Sequence, residues 1–429
     1  MEVRPGYKRT EVGVIPEDWE IKALGDIGES LIGLTYKPTH VRSDGILVLR
    51  SSNIQEGNLR FADNVFVDIE VPERIMARVG DILICVRNGS RDLIGKCARL
   101  DERATGMTFG AFMAVFRTPG YRFVYHQFRS AVLKRQIREH LGATINQITN
   151  RSLNSFCIPR PRKHAEQEAI AEALSDGDAL IESLEQLLAK KRQLKQGTVQ
   201  ELLTGNKRLP GFQINRRSKK TELGVIPEDW AVQALAGLID PARSIRYGIV
   251  QPGRFDPQGR YMIRGQDYSD GWVHPSALFR VSPTVEERYA NARVRTGDIL
   301  ITIVGASTGR VAVVPSWLED ANLTQTTARV AIDSAKASGR YCSYALSSWC
   351  GTRQVQNYIK GGAQPGLNCG DIEKFLIALP PTLAEQDAVA TILSDLDTEI
   401  DVLEVRLTKA RQLKQGMMQE LLTGRIRLV

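Results

Sequence analysis

The chain has 429 residues, of which 42% are apolar and 25% are charged, as in an ordinary globular protein of about two to four domains. It has no apolar run near the roughly 20 residues of a membrane span and no signal-peptide core in residues 1–9, so we expect a cytoplasmic protein without a membrane-bound part. Its six cysteines form no CxxC pair, which argues against a zinc ribbon and favours free thiols over a disulfide framework.

Positive charge is concentrated in two parts of the chain. The formal net charge of +8 divides into +7 for residues 1–164 and +3 for 218–383, against 0 for 165–217 and −2 for 384–429. Basic globular segments indicate a polyanionic partner, most economically nucleic acid. A basic protein without such a partner explains the charge equally well, so charge alone does not decide.

The first recognisable element is a block near the amino terminus that occurs twice. Residues 8–19 read KRTEVGVIPEDW, and residues 219–230 read KKTELGVIPEDW. A longer block at 165–209 returns with few changes at 384–428. Repeats of this size exceed the units of about 20–50 residues that build solenoids. The sequence therefore predicts two duplicated domains whose divergent middles present different recognition surfaces.

The segments between the repeated blocks contain matching strand signals. Residues 80–86 (GDILICV) correspond to 297–304 (GDILITIV), and each reads as a buried strand after a Gly-Asp turn. Residues 47–57 (LVLRSSNIQEG) correspond to 261–271 (YMIRGQDYSDG) as a strand followed by a polar loop. Both segments are predicted to be α/β (α+β) domains with short strands.

A basic helix is predicted at 126–140 (HQFRSAVLKRQIREH), within the first divergent segment. Its four arginine and lysine side chains suit contacts with DNA phosphates, although a solvated helix face is the more frequent explanation of such a run. The equivalent region at 341–360 is much less basic, which weakens the phosphate interpretation.

Each long repeated block has the heptad pattern of a coiled-coil helix. The block at 165–209 has its seam in the same register as the other copy but places Gly177 on it. Proline precedes each block, and Gly205 or Gly424 ends it, which predicts two helices of about 40 residues and roughly 60 Å. We expect the helices to pair antiparallel as a spacer, in preference to each packing on its own domain. The seam of the second copy is Val389, Leu393, Leu396, Ile400, Leu403, Leu407 and Ala410.

The carboxyl-terminal part of each helix is repeated more faithfully than a packing seam requires. KxRQLKQG and QELLTG recur together with their polar residues. This indicates a second shared task, such as binding the same partner protein twice. The residues predicted to bind this partner are Arg192, Gln193, Lys195, Gln196, Arg411, Gln412, Lys414 and Gln415.

The loops after the predicted strands are rich in side chains that can read base edges. Arg, Asn, Gln, Ser and Thr can bind base edges, and Gly lets a backbone approach phosphate. Ordinary turn chemistry favours the same residues, but their divergence on a duplicated scaffold tilts the balance toward recognition. The predicted DNA contacts are Arg50, Ser51, Asn53, Arg87, Asn88, Ser90, Arg91, Asn146 and Gln147 in the first segment, and Arg264, Gln266, Ser307, Thr308, Arg310 and Gln325 in the second.

The sequence contains no recognisable catalytic motif. It has no adenine-methyltransferase motif of the DPPY or NPPY type, no GxGxxG, no metal spacing among its five histidines and no evident Ser-His-Asp arrangement. We therefore expect a non-catalytic chain without a metal site.

Taken in order, the motifs resemble those of the specificity subunit of type I restriction–modification systems. GVIPEDW, GDILI, GGAQPGLN at 361–368, PPTLAEQ at 380–386 and QELLTG follow one another as is typical of that family. The resemblance covers nearly the whole chain, and it is specific because the ordered set is doubled.

This resemblance implies target-recognition domains at 1–160 and 221–380, conserved helices at 161–210 and 381–429, and a linker at 211–220. Each recognition domain would read one half of a bipartite site in double-stranded DNA, and the helices would form an antiparallel coiled coil that fixes the gap. Two methyltransferase subunits using S-adenosylmethionine, and restriction subunits using ATP and Mg²⁺, would join the chain. Cofactors are therefore expected in the partner subunits and none in this chain.

Two other functions remain open from the residues. A scaffold or adaptor would bind only proteins through the repeated helices, and a transcriptional regulator would carry two DNA-binding heads. Strong, salt-dependent DNA binding would disfavour the scaffold, and co-purification with a methyltransferase would disfavour the regulator.

Overall fold

The computed structural model describes residues 4–143, 146–212, 217–269, 271–359 and 366–428. The chain divides into two compact units, here called unit 1 (Met1–Gln186 with Val405–Val429) and unit 2 (Leu187–Glu404). This division assigns part of each long helix to each unit, whereas the boundaries drawn from the repeats treat each helix as a segment of its own. Part of the predicted linker and most of the GGAQPGLN stretch lie outside the described residues.

The elements of the first half are short strands followed by helices. The strands are β1 Tyr7–Thr10, β2 Gly13–Pro16, β3 Trp19–Ala23, β4 Glu29–Ile32, β5 Val41–Arg42, β6 Ile46–Leu49, β7 Ile54–Gln55, β8 Asn58–Leu59, β9 Phe66–Val67, β10 Ile82–Cys85, β11 Cys97–Arg99, β12 Thr108–Phe109, β13 Met113–Arg117 and β14 Cys157–Pro161. The helices are α1 Tyr121–Arg129, α2 Ala131–Ala143, α3 Asn150–Ser155 and α4 His164–Leu203.

The second half repeats this succession. Its strands are β15 Ser218–Thr221, β16 Gly224–Pro227, β17 Ala231–Ala234, β18 Arg246–Tyr247, β19 Arg260–Ile263, β20 Phe279–Val281, β21 Ile299–Thr302, β22 Val311–Val313, β23 Asn322–Leu323, β24 Thr327–Val330 and β25 Leu376–Leu379. Its helices are α5 Leu235–Leu238, α6 Pro283–Glu286, α7 Gly339–Ser347, α8 Trp349–Tyr358, α9 Cys369–Ile372 and α10 Leu383–Leu421.

Unit 1 is built around an antiparallel sheet of order β11-β10-β13-β4. The central strand β10 is buried on both faces: Ile82 and Ile84 enter one apolar core, and Leu83 and Cys85 enter the other. A second sheet, β12-β6-β9-β5, places β12 parallel to β6. The alternation follows from the two-residue period of a strand, so this short apolar run connects both cores.

Unit 2 has the same architecture although its sequence differs. Its antiparallel sheet has the order β18-β24-β21-β22, and β19 pairs with β20 and, in parallel, with β23. The strands β10 and β21, the two GDILI motifs, occupy the same central place. The structure confirms the predicted α+β fold and its duplication.

The aspartate of each GDILI motif holds a buried ion pair. Asp81 accepts hydrogen bonds from Arg78 N (2.9 Å) and from Arg117 (2.8 and 2.7 Å). In unit 2, Asp298 is bound in the same way by Arg243 and by a backbone amide. Each carboxylate fixes the turn that starts the central strand, which explains why the motif is present in both halves.

The prediction of one continuous basic helix at 126–140 is wrong, because Ser130 separates α1 from α2. Ser130 is extended (φ −67°, ψ 157°), and its Oγ accepts a hydrogen bond from Leu133 N (3.2 Å), so that α2 begins anew. His126 and Gln127 are buried, and the exposed basic side chains of residues 126–140 (Lys134, Arg135 and Arg138) lie on α2. The hydrophobic pattern alone did not reveal the break, because serine has an intermediate helix propensity and does not by itself end a helix.

The long helices α4 and α10 have 40 and 39 residues, which confirms their predicted length. Within unit 1, Asp178 pairs with Lys414 while Glu185 accepts a hydrogen bond from Arg411 (2.7 Å). Numbers rise along α4 while they fall along α10, so the helices run antiparallel. In unit 2, Arg192 pairs with Glu404 and Lys195 with Asp397, which is the same antiparallel order.

The repeated ends of the helices close each unit against its IPEDW block. In unit 1 Gly424 has φ +71°, and a Cβ there would lie 2.6 Å from Pro16, so only glycine fits this approach. Beside it, Arg427 donates to Asp18 and pairs with the buried Glu166 at the start of α4. This arrangement, called here the corner of unit 1, joins the two ends of the helix pair to β2 and β3.

Unit 2 has an equivalent corner. Gly205 also has φ +71° and would place a Cβ 2.5 Å from Pro227. Arg208 donates to Glu385 and to Asp229, and its guanidinium lies 5.8 Å from the Trp230 ring centre. The LLTG and IPEDW motifs recur together because they form one joint in each unit.

Candidate nucleic-acid interface

The loops that follow β6 and β10 lie against each other in unit 1. Asn88 Nδ2 donates to Ser51 Oγ (3.3 Å). Arg87 forms an isolated β-bridge with Gln147, and its guanidinium lies 5.1 Å from the centre of the Phe112 ring. The structure thus brings four of the residues predicted to bind DNA together where two strands end. The Arg87 side chain is exposed.

Asn53 is the exception among the predicted DNA contacts. It is completely buried, its Oδ1 accepts from Arg50 N (2.9 Å), and its Nδ2 donates to Arg60 O (2.9 Å). Its side-chain amide links two backbone segments of the loop, so the structure gives Asn53 a structural role in place of a DNA contact. Arg50 itself is half-buried and donates to the exposed Asp63 (2.8 Å).

The remaining predicted residues of unit 1 lie at the surface. Ser90, Arg91 and Asn146 are exposed, and Ser90 N donates to Asn88 Oδ1 (2.9 Å). Arg91 lines a groove of about 1370 Å³ in unit 1, together with the basic side chains Lys96, Lys134 and Arg138. Their direct contact with DNA stays a prediction.

In unit 2 the equivalent loops surround a cavity of about 370 Å³, called here the polar cavity. Four predicted residues line it: Arg264 and Gln266 after β19, Ser307 after β21, and Gln325 between β23 and β24. The parallel pairing of β23 with β19 brings these loops together, because the ends of parallel strands meet at one edge. Gln266 and Gln325 are exposed.

Two predicted residues lie on the same loop but outside the lining of the polar cavity. Thr308 Oγ1 donates to Gly305 O (2.7 Å), which holds the turn after β21. Arg310 is exposed at the start of β22, and its backbone accepts from Thr302 N (2.9 Å). Both positions are compatible with a DNA contact beside the cavity.

Three threonines that line the polar cavity were not predicted from the sequence as site residues. Thr302 is buried and shares a hydrogen bond with Tyr268 (2.8 Å), and Thr324 and Thr326 bind each other through their hydroxyls (2.7 Å). They fall at strand ends, where threonine is an ordinary strand residue. The only signal was their position flanking Gln325.

The lysines predicted to bind a partner protein form ion pairs between α4 and α10. Lys195 pairs with Asp397, and Lys414 with Asp178. Burial raises the pKa of Asp178, but the positive charges of Arg129 and Lys414 outweigh it, so the pKa is lowered. Lys414 is only 5% exposed, so charge reversal there would place a carboxylate against Asp178 and disturb the fold. The exposed members of the set are Arg192, Gln193, Gln196, Arg411, Gln412 and Gln415.

The glycine on the first helix seam accounts for the burial of Lys414. A Cβ at Gly177 would lie 3.5 Å from Lys414 Cγ, so the lysine stem packs over the glycine. The second copy has Leu396 at this place, and the equivalent Lys195 is correspondingly more exposed, at 33% of its side chain. The irregular seam position therefore makes room for a polar pair inside the helix interface.

Another pair of glycines in the long helices, one in each copy, has no neighbouring side chain in the described part of the chain that would explain the choice of glycine. A Cβ at Gly197 or Gly416 would meet no atom within 4 Å. The leucines one turn earlier, Leu194 and Leu413, are 52% and 65% exposed. In unit 1 these residues adjoin other apolar side chains, among them Met417. We call this surface, present in both copies, the repeated helix face.

Three kinds of feature are absent from the described part of the chain. No described helix is long and apolar enough to cross a membrane. No group of three or more His, Cys, Asp or Glu residues among those described could hold a metal ion. The six cysteines are free, and three of them (Cys85, Cys97 and Cys342) are buried.

Comparison with known families gives a match over most of the chain. The model of the family described as "Type I restriction modification DNA specificity domain" matches residues 16–191 and 227–411. The chain is 25% identical over 430 residues to the EcoBI type I restriction enzyme specificity subunit of Escherichia coli, covering 96% of this chain and 86% of that protein. It is 27% identical over 441 residues to the putative MjaX specificity subunit of Methanocaldococcus jannaschii, covering 98% and 97%.

Solved structures show the same fold. The S subunit of a type I restriction–modification system from M. genitalium aligns with a TM-score of 0.60 at 13% identity, covering 98% of both chains. A chain from a study of complex assembly in the type I system aligns with a TM-score of 0.50 at 18% identity, covering 96% and 99%. These likenesses extend over the whole length and include both units.

Proposed function

Because this chain belongs to the family of type I restriction–modification DNA specificity subunits, we propose that each of its units reads one half of a bipartite DNA site. One observation carries this proposal: two units of the same fold present different side chains on equivalent loops. Unit 1 has Arg87 and Asn88 where unit 2 has Val304 and Gly305. Different donors and acceptors on one scaffold suit two different half-sites.

The distribution of charge supports contact with DNA by both units. The net charge is +7 for residues 1–164 and +3 for 218–383, the segments that carry the candidate loops. Arg87 and Arg91 in unit 1 and Arg310 in unit 2 are exposed there. Arginine and lysine side chains bind phosphates without regard to sequence and position the loops that read bases.

Selection from random duplex DNA tests this proposal against the two alternatives. The full chain with its methyltransferase is expected to select two specified halves separated by an unspecified gap. The logarithm of affinity should fall with the logarithm of salt concentration with a slope of roughly −5 to −9, as for six to ten phosphate contacts. Failure to select any sequence would favour the scaffold. A selected motif without any bound methyltransferase would favour the regulator.

The repeated helix face is the surface we assign to two methyltransferase subunits. Glycine in a helix interior costs about 1 kcal/mol relative to alanine, yet a Cβ at Gly197 or Gly416 would meet no described atom within 4 Å, so packing within this chain does not require glycine there. A glycine next to an exposed leucine allows a second chain to approach the helix backbone closely. The occurrence of the same face in both copies fits two identical partners.

Changing one leucine of this face should remove one methyltransferase subunit from the complex. Leu413→Glu places a charge on the apolar contact, so the complex should retain one methyltransferase per chain, and Leu194→Glu combined with it should retain none. Native mass spectrometry of the co-expressed subunits gives the count directly. Leu187→Glu is the matched control, because Leu187 is an exposed leucine on α4, the helix of Leu194, and its counterpart on α10 is Arg406, so it is not part of the repeated helix face. A Leu413→Glu chain that still binds two subunits would contradict the assignment.

Methyl transfer and cleavage belong to the partner subunits in this proposal. S-adenosylmethionine would be held by the methyltransferases, and ATP with Mg²⁺ by restriction subunits, since the sequence offers no recognisable motif for them. This chain would supply sequence recognition, and its antiparallel helices would set the gap between the half-sites.

A further inference from the structure

The polar cavity of unit 2 is suited to reading the edge of a base. Its lining combines three threonines with Gln266, Gln325 and Arg264, and the described lining contains no aromatic ring. A base turned out of the helix is normally held by stacking on aromatic or apolar side chains; four apolar residues also line this cavity, but its described lining offers no aromatic ring on which a base could stack. Hydrogen-bonding groups at an open, concave surface instead suit base edges in the major groove.

Arg264 is the one basic residue in the described lining of this cavity, and its side chain is held by a buried carboxylate. Its Nε lies 3.2 and 3.1 Å from the two carboxylate oxygens of Asp267, and its Nη2 lies 2.8 Å from Oδ1. Asp267 is only 1% exposed and also accepts a hydrogen bond from Arg264 N (2.8 Å). The carboxylate therefore binds the Nε–Nη2 edge of the guanidinium and fixes the plane of this group.

The carboxylate of Asp267 leaves the Nη1–Nη2 edge of the guanidinium without a close partner among the described residues, and Arg264 lines the cavity. On the Nη1–Nη2 edge, the contact found is a long one, 3.4 Å from Nη2 to Ala277 O. The Arg264 side chain is 29% exposed, so it can reach a ligand without leaving its place. Gly265 permits this geometry, because a Cβ there would lie 2.9 Å from Thr302 Cγ2.

Unit 1 lacks this arrangement at the equivalent position. Arg50 follows β6 as Arg264 follows β19, but it donates to Asp63, which is 68% exposed. The residue equivalent to Asp267 is Asn53, which carries no charge and accepts a hydrogen bond from the backbone N of Arg50 but none from its guanidinium. The fixed arginine is therefore a property of unit 2 and not of the shared fold.

We propose that Arg264 reads a guanine in the half-site of unit 2 and that Asp267 is the residue that positions it; this rests on the function proposed above. Guanine presents two acceptors, O6 and N7, in the major groove, and the free edge of an arginine matches both. Adenine presents an acceptor and a donor there, so it pairs poorly with a group that only donates. Loss of a bidentate contact of this kind lowers discrimination by about 5- to 150-fold.

The test measures base preference position by position, by selection from random duplex DNA with the full chain and its methyltransferase. Arg264→Lys keeps the charge but removes the planar pair of donors, so preference for one guanine should fall by about 5- to 150-fold. Asp267→Asn keeps the hydrogen bond from the Arg264 backbone but weakens the bonds to its guanidinium. The preference for guanine should therefore fall at the same position, but by less. Arg280→Lys is the matched control, because Arg280 belongs to unit 2 but does not line the cavity.

Each outcome decides the proposal. A loss confined to one G·C pair of one half-site, shared by both variants and absent from Arg280→Lys, supports it. Equal weakening at all positions would show that Arg264 binds phosphate or maintains the fold, and an unchanged guanine preference would show that it reads no base. If the wild-type chain itself selects no sequence, the proposed function fails before the variants are compared.

Discussion

Replacing Arg208 by alanine is expected to destabilise unit 2 by about 3–5 kcal/mol, the typical cost of breaking a buried ion pair. The Arg208 side chain is 7% exposed and that of Glu385 only 2%. The substitution would leave the carboxylate of Glu385 buried without its cation. It would also remove the bonds to Asp229, so the corner of unit 2 would lose both of its connections. Urea denaturation followed by the fluorescence of the neighbouring Trp230 measures the loss.

Two further variants separate this effect from a general loss of charge. Arg192→Ala breaks a pair with Glu404 whose side chains are 60% and 45% exposed, so it should cost no more than about 1 kcal/mol. Arg427→Ala, the equivalent change in unit 1, should fall between the two because Arg427 is 30% exposed. Equal losses for Arg208→Ala and Arg192→Ala would contradict the structural role given to the corner.

The predictable part of the fold is the part that local patterns specify. The heptad seam and its glycine ends placed α4 and α10 to within a few residues, and the apolar runs after Gly-Asp located β10 and β21. The corners could not be predicted in this way. They join segments far apart in sequence, such as Trp19 and Gly424, and nothing in either motif alone specifies its partner.

The candidate site shows the same division. Loop composition located Arg87 and Arg264 correctly at strand ends, because turns and exposed polar residues are signalled locally. Burial is decided by tertiary packing, so Asn53 was expected at the surface and lies inside. The partner of an arginine is equally hidden from the sequence, and the contrast between Asp63 and Asp267 became visible only in the structure.

Lengthening both long helices is expected to change the DNA gap without changing either half-site. Repeating Ser183–Gln186 after Gln186, and Asp401–Glu404 after Glu404, adds four residues to each helix where the two units divide. Four residues add about 6 Å at 1.5 Å per residue. Since DNA rises about 3.4 Å per base pair, the gap should grow by one or two base pairs.

The lengthened chain should bind the wild-type DNA site poorly, because only one unit at a time can align with its half-site. Each mismatched base pair costs about 1–3 kcal/mol, so loss of a half-site lowers specific affinity by at least roughly 100-fold. Both seams shift by half a heptad, so some loss of stability accompanies the insertion. Four residues inserted after Gly211, outside the helices, form the control and should leave the gap unchanged.

Sequencing of methylated adenines in cells that express the chain with its methyltransferase tests the central claim most directly. For the wild type we predict two specified halves separated by a fixed gap. For the lengthened helices we predict the same two halves with one or two more base pairs between them. A single uninterrupted motif, or a gap that stays the same when both helices are lengthened, would contradict the account of two reading units whose spacing is set by the paired helices.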